Sequence, residues 1–347
     1  MHEVTSSLFV TLVIGSQGSG KTTIARALTG VVADGAALLE GHDHIDDFTV
    51  ELAQRLCDVA DDGQQGHVVV ELTPDVDALE SALVLEAMFS SRPPSAPILR
   101  LREIVVAATA REIRTHFFGD EDVPADDYDT GERLSRQLEI ATTVVITRTE
   151  TLPRPQLTEA VALVTKLNPL ARLLAPGRPL EPGSMSTRPL WPRALVGQEM
   201  GWTKELAGTA GPPTSVAGIS VAVFRDPRPF HPGRLAEVIA QHLVPDVVGQ
   251  ILRSRGLTRL ASRPSIVGSW STTGGVFALD PTAMASWDPD SPVGQELVFF
   301  GKDLRPDALV AVLATALLDS SEMVAGPAEW STYPDEFPAW ERDGHRH

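Results

Sequence analysis

A chain of 347 residues is long for one domain and comfortable for two. It is 43% hydrophobic and 22% charged, close to globular averages, which excludes disorder and low complexity over most of its length. Its 29 Lys and Arg against 46 Asp and Glu leave a net charge of −17, unfavourable for coating duplex DNA, whose phosphates demand a surplus of cations; a local basic patch for RNA or a ribosome stays open. Cys57 has no second cysteine to meet, so an intramolecular disulfide and a cysteine-built zinc cluster are both excluded.

The start, Met1-His2-Glu3-Val4, lacks the basic n-region of a signal peptide. An uncharged stretch at residues 206–224 reaches membrane length but carries Gly208, Gly211, Pro212 and Pro213, which a spanning helix rarely tolerates together. The expectation is a soluble cytoplasmic protein with no membrane partner.

Residues 8–14 form a β-branched apolar run that stops at Gly15, the pattern of a buried strand. Residues 22–28 follow with helical spacing. Residues 36–39 read as a short strand, and residues 48–56 as a helix with Phe48, Leu52 and Leu56 on one stripe. Strands at 67–72, 104–108 and 144–147 alternate with helices at 76–89, 134–140 and 158–167. Such alternation implies an α/β fold, a parallel sheet covered by helices. From residue 176 to 215 prolines and glycines crowd the chain, as in a linker. Beyond it, a strand at 216–224, a helix at 234–243, strands near 257–262, 266–270, 275–279 and 297–300, and a helix at 307–318 suggest a smaller α+β domain. The tail from 322 to 347 is polar and bears prolines, with Trp330, Phe337 and Trp340 able to drape over that domain.

Gly15-Ser16-Gln17-Gly18-Ser19-Gly20-Lys21-Thr22 fits G-x-x-x-x-G-K-[ST] at every fixed position, with a buried strand before it and a helix after it. The glycines let backbone N–H groups turn toward phosphate oxygens, Lys21 adds a point charge, and the Thr22 hydroxyl suits Mg²⁺. With Thr23, these residues are the expected nucleotide-binding set. Glu71 ends the strand His67-Val68-Val69-Val70-Glu71, where a carboxylate can hold Mg²⁺ or orient an attacking water; the plain alternative is a solvated strand end. Thr147-Arg148-Thr149-Glu150 leaves the strand at 144–147 in the position of a base-recognition turn. Glu150 can accept two hydrogen bonds from guanine there, although an ordinary strand exit fits this segment as well.

With these segments in hand, the chain resembles the CobW family of P-loop GTPases. The second half carries the resemblance most specifically. Phe224-Arg225-Asp226-Pro227-Arg228-Pro229-Phe230-His231-Pro232 is similar to that family's strand-to-helix signature. Leu260-Ala261-Ser262-Arg263-Pro264, Trp270-Ser271-Thr272-Thr273-Gly274-Gly275 and Gln295-Glu296-Leu297-Val298-Phe299-Phe300-Gly301 follow in the family's order. The resemblance implies a P-loop GTP-binding domain over residues 1–175, a linker over 176–215, a CobW-type C-terminal domain over 216–320 and a polar tail over 321–347. It also implies slow GTP hydrolysis with Mg²⁺, in zinc or other metal homeostasis or in cobalamin metal supply. The detailed pattern is nearest the branch that includes a GTPase recruiting a ribosome hibernation factor.

Three features depart from the family. The Cys-x-Cys-Cys metal motif is absent. Thr-Arg-Thr-Glu stands where the family has Asn-Lys-x-Asp, which loosens the choice between GTP and ATP. The stretch between the phosphate loop and Glu71 is short, so the switch region is trimmed. In about the place of the missing cysteines lies Glu40-Gly41-His42-Asp43-His44-Ile45-Asp46-Asp47. His42 and His44 with a nearby carboxylate can ligate Zn²⁺. The same residues also read as a solvated loop, with Asp46 or Asp47 capping the following helix, or as a switch loop. Arg253, Arg255, Arg259 and Arg263 could meet phosphate or RNA, but pairing with the surplus carboxylates is the simpler expectation. His231 reads as a structural corner. Lys21 and Glu71 are the expected catalytic pair. The rival readings are a nucleotide-gated adaptor on the ribosome and a metallochaperone using His42 and His44. The protein partner and oligomeric state are not encoded legibly.

Overall fold

The computed structural model describes residues 7–29, 45–74, 76–120, 128–174, 200–210 and 215–340. The strand expected at 36–39, His42 and His44 lie outside them, as do most of the acidic run at 120–129 and most of the proline-rich stretch. Among the described residues, no helix is long and apolar enough to cross a membrane. The chain divides into two compact units, Met1–Arg114 with Glu132–Ala160 and Leu167–Gly201, and Thr115–Gly131 with Val161–Lys166 and Trp202–His347.

The first unit is built on a five-stranded sheet in the order β2-β1-β3-β4-β5, comprising β1 (Ser7–Ile14), β2 (Gly66–Glu71), β3 (Ile98–Thr109), β4 (Thr143–Thr147) and β5 (Arg172–Leu174). All its pairings are parallel. Its central strands are continuous apolar runs because both faces are covered, and Val10, Leu12, Val70, Ile104 and Val106 have almost no exposure. The helices are α1 (Lys21–Thr29), α2 (Ile45–Asp61), α3 (Ala78–Ser90) and α4 (Ala110–Ile113), with α5 (Tyr128–Ile140) and α6 (Arg154–Leu167) each divided between the two units. The stripe Phe48, Leu52 and Leu56 is buried along α2, and Cys57 is buried beside it. Asp77 caps α3 by accepting from the N–H groups of Leu79 and Glu80 at 2.8 and 3.1 Å, which starts this helix two residues later than periodicity suggests.

The second unit carries a five-stranded antiparallel sheet in the order β6-β10-β7-β8-β9. Helix α7 (Gly201–Leu206) precedes β6 (Ile219–Asp226); α8 (Pro232–Glu237) and α9 (Pro245–Val248) lead to β7 (Gln250–Thr258). Then come β8 (Ile266–Thr273), β9 (Val276–Ala285), β10 (Gln295–Lys302), α10 (Pro306–Thr315), α11 (Ser320–Ala325) and α12 (Pro327–Trp330). Trp270 centres the core. Its ring meets Phe277 edge-on at 4.8 Å and Phe299 at 6.1 Å, and its indole N–H donates to Ser254 Oγ at 2.7 Å. Strand β7 begins earlier than the expected strand near 257–262, because Arg253 is buried in the sheet. Arg253 is fully buried and donates to Ser271 Oγ, the Thr272 carbonyl and Thr273 Oγ1 at 2.7, 3.1 and 2.9 Å. The helix expected at 234–243 breaks sooner, passing from α8 into a π-turn at Val238–His242.

The proline-rich corner after β6 is held by backbone and by one buried amide. His231 N–H donates to the Ala316 carbonyl and Leu318 N–H to the Pro229 carbonyl, at 2.8 and 2.9 Å. Gln295 Nε2 donates to the carbonyls of Arg228 and Arg259, both at 2.9 Å, and Gln295 Oε1 accepts from Thr258 Oγ1 at 2.5 Å. His231 is the structural corner expected, capping α8 and stacking on Tyr333 at 4.9 Å. The polar tail also packs: Trp340 Nε1 donates to the Leu279 carbonyl at 2.9 Å, and Phe337 and Trp340 lie against the core.

Two carboxylates tie this corner electrostatically. Hydrogen bonds from Arg228 hold the Asp226 carboxyl below its ordinary range, and hydrogen bonds from Arg234 do the same for Glu322. A carboxyl whose folded pKa is depressed stabilises the fold fully above its unfolded value, about 4, and that contribution is lost as pH falls through the folded value. The second unit holds Trp202, Trp270, Trp287, Trp330 and Trp340, so tryptophan fluorescence follows its unfolding. The urea midpoint by fluorescence should drop between pH 6 and pH 3, and Glu322→Gln should flatten that dependence. A midpoint that falls equally steeply in the variant would assign the acid sensitivity elsewhere.

Candidate functional site

The segment between β1 and α1 is shaped by three glycines. Gly15, Gly18 and Gly20 have φ of 153°, 81° and 91°, conformations that side chains resist. At Gly15 the need is also spatial: a Cβ there would lie 2.3 Å from the Ala107 carbonyl oxygen on β3 and 2.6 Å from Ser19 Oγ. The loop backbone is therefore pressed onto the neighbouring strand. Ser19 is fully buried, and its hydroxyl has no hydrogen-bond partner among the described residues.

Lys21 opens α1 and donates from Nζ to the carbonyls of Gly15 at 3.3 Å and Leu72 at 3.0 Å, bridging the loop to the exit of β2. Thr22 Oγ1 donates to Glu71 Oε1 at 2.7 Å. β1 and β2 run parallel in register, Val13 opposite Glu71, so the loop and this carboxylate emerge at the same end of the sheet. From β4, Thr147 Oγ1 donates to the Ser19 carbonyl at 2.7 Å, which fastens the next strand but one to the loop. Arg148 follows in the left-handed region, φ 51° and ψ 37°, and Glu150 is exposed in the 3₁₀ turn Thr149–Thr151. A cavity of about 570 Å³ opens here, lined by Gln17, Gly18, Gly20, Lys21, Thr22, Pro74 and Arg148.

The structure thus brings together Gly15 to Thr22, Glu71, Thr147 and Arg148. Thr23 is exposed on α1, and Glu150 stands outside the residues lining the cavity. Two further residues at this end of the sheet escaped the sequence reading. Thr109 ends β3 and caps α4, accepting from Glu112 N–H at 3.0 Å, while Glu112 Oε2 accepts from Thr109 N–H at 2.7 Å. The other oxygen of Glu112 accepts the hydroxyl of Ser16 in the loop. Their signal was local and legible: Thr109-x-x-Glu112 is a capping-box spacing.

Chemically, the cavity joins a lysine ammonium and a helix N-terminus to a glycine-rich turn, an environment that favours an anion with several oxygens. Thr22 and Glu71 offer a hydroxyl and a carboxylate in contact, hard oxygen donors of the kind Mg²⁺ takes when phosphates and water complete its shell. The donor set therefore fits Mg²⁺. No cluster of three or more His, Cys, Asp or Glu suited to a metal occurs among the described residues. Gly15→Ala should close the loop's path, since the added carbon meets backbone and not a side chain that can turn away. Equilibrium binding of inorganic tripolyphosphate should fall at least tenfold, about 1.4 kcal/mol. Wild-type affinity in this variant would show that the loop geometry does not govern anion binding.

Residues 219–317 match the family model of the cobalamin synthesis protein cobW C-terminal domain. The chain is similar to "Zinc-regulated GTPase metalloprotein activator 1" of Dictyostelium discoideum, 27% identical over 242 residues, 62% of this chain and 50% of that protein. It thus spans about half the length of that relative. It is also similar to "Zinc chaperone Rv0106" of Mycobacterium tuberculosis, 26% identical over 310 residues, 80% of this chain and 73% of that protein. Among solved structures, the Zn(II)-bound YjiA GTPase from E. coli aligns with a TM-score of 0.35 at 15% identity, covering 90% of this chain and 100% of that one. The resemblance to the CobW family read from the sequence is borne out, and the chain carries that family's C-terminal domain at residues 219–317.

Proposed function

We propose that the chain binds GTP with Mg²⁺ and hydrolyses it slowly, as a G protein of zinc or other metal homeostasis. The observation that carries the reading is the phosphate loop itself. Its glycines adopt the required left-handed conformations, Lys21 stands at its mouth, and Thr22 touches Glu71. In this reading Gly15, Gln17, Gly18, Ser19, Gly20, Lys21, Thr22 and Thr23 hold the phosphates, and Lys21 stabilises charge on the transferring phosphoryl group. Bound Mg²⁺ would supply charge neutralisation between phosphate oxygens, and Thr22 and Glu71 are the residues that would hold it. Glu71 also orients the attacking water. The names of the relatives support the zinc connection. In the alternative reading, a metallochaperone, His42 and His44 would hold zinc in place of the family's cysteines.

Lys21→Ala tests the reading directly. Affinity for a fluorescent GTP analogue should fall at least a hundredfold, about 2.7 kcal/mol, with unchanged circular dichroism. Unchanged affinity would overturn the assignment.

Base choice should be loose. Thr147, Arg148 and Glu150 are the proposed base-contacting residues, yet the Thr147 hydroxyl is already engaged with the Ser19 carbonyl. A hydrogen bond missing from the purine edge costs about 1–3 kcal/mol. Competition titration should give GTP over ATP by less than about a thousandfold, roughly 4 kcal/mol; a larger preference would contradict the assignment of these residues.

A further inference from the structure

Glu112 is a carboxylate hydrogen-bonded to a loop whose other features favour anions. Its position is fixed from both sides. One oxygen accepts from Thr109 N–H at 2.7 Å, and the other accepts the Ser16 hydroxyl. The capping box that fixes it belongs to α4, directly after β3, and β3 is the strand onto which the Gly15 backbone is pressed. A half-buried negative charge held at that place opposes a polyphosphate entering the loop, since like charges at short range repel strongly where water is partly excluded. Lys21 and Arg148 bring two positive charges to the cavity, and Glu71 beside Thr22 joins Glu112 as a second negative charge. These four fixed charges cancel, so they leave no surplus to meet the charge of a bare polyphosphate, and a cation that arrives with it lowers that charge.

We propose that Glu112 makes nucleotide binding at this loop conditional on a divalent cation. It acts through Ser16 as a positioning residue and through its charge as a penalty on bare polyphosphate. A Mg²⁺ ion carried by the nucleotide offsets that penalty, so the protein discriminates Mg²⁺-loaded from metal-free nucleotide. The inference rests on the nucleotide-binding reading above and adds a regulation to that site.

The test is a set of affinities measured on the full chain. Wild type, Glu112→Gln and Glu112→Ala are titrated with GTP and, separately, with inorganic tripolyphosphate, each with excess Mg²⁺ and with EDTA. Glutamine keeps the capping box, because a Gln amide oxygen can still accept from the Thr109 N–H. In wild type, Mg²⁺ should strengthen binding markedly. In Glu112→Gln, metal-free binding should tighten about tenfold while Mg²⁺-loaded binding changes less than about threefold, so the gain from Mg²⁺ shrinks, as expected for a coupling between two ligands. Glu112→Ala should show the same shrinkage with a lower melting temperature from the lost cap. A residue that only supports the loop would shift affinities with and without Mg²⁺ by the same factor, and that result would overturn the proposal while leaving nucleotide binding intact. Weaker metal-free binding in both variants would overturn it too. A wild-type chain that binds neither GTP nor tripolyphosphate would remove the nucleotide reading and this proposal together.

Discussion

The Ala107 carbonyl oxygen occupies the space that any side chain at position 15 would need. That contact between the loop and β3 sets the path of everything downstream in the site. It forces the chain into the positive-φ turns at Gly18 and Gly20, brings Lys21 Nζ within reach of the Gly15 and Leu72 carbonyls, and starts α1 where Thr22 meets Glu71. The strand order β2-β1-β3 matters for the same reason. The loop leaves a strand flanked on both sides, so each neighbour delivers a carboxylate to its margin: Glu71 at the end of β2 and Glu112 just past β3. Lys21 and Arg148 stand against these two carboxylates, a charge balance that suits an anion arriving with a cation.

Much of this was legible because it is local. The phosphate loop is a contiguous pattern with a buried strand before it and a helix after it. Phe48, Leu52 and Leu56 announce α2 by period alone, and all are buried. Glu71 was legible because a carboxylate ending an apolar strand is conspicuous. Glu112 was overlooked because its partner Ser16 is 96 residues away in sequence, even though its capping box is local. Strand β7 was misplaced for a different reason. Arg253, Arg255 and Gly256 interrupt the apolar pattern of a strand, but a Cβ at Gly256 would lie 2.0 Å from the Glu296 carbonyl oxygen, so the glycine marks close approach of two strands. The guanidinium of Arg253 is buried on hydroxyls and a carbonyl that only the folded sheet assembles.

Those arginines bear on partners as well as on fold. Arg253, Arg255, Arg259 and Arg263 read from sequence as a patch that could meet phosphate or could pair internally. The structure turns them inward. Arg259 donates to the carbonyls of Ser286 and Pro292 at 3.2 and 3.0 Å, Arg263 pairs with Asp335 at 2.8 Å and lies over Trp340, and Arg255 lies over Trp202. Arg228 and Arg234 are likewise committed, to Asp226 and Glu322. Carboxylates are only part of the answer to where these charges go, because carbonyls, hydroxyls and aromatic faces take the rest. A guanidinium engaged in this way is a poor donor to an incoming phosphate, since each new contact would first break an internal one. Counterion release onto RNA or DNA needs cations standing free at the surface, and Arg253, Arg259 and Arg263 are engaged within this unit instead.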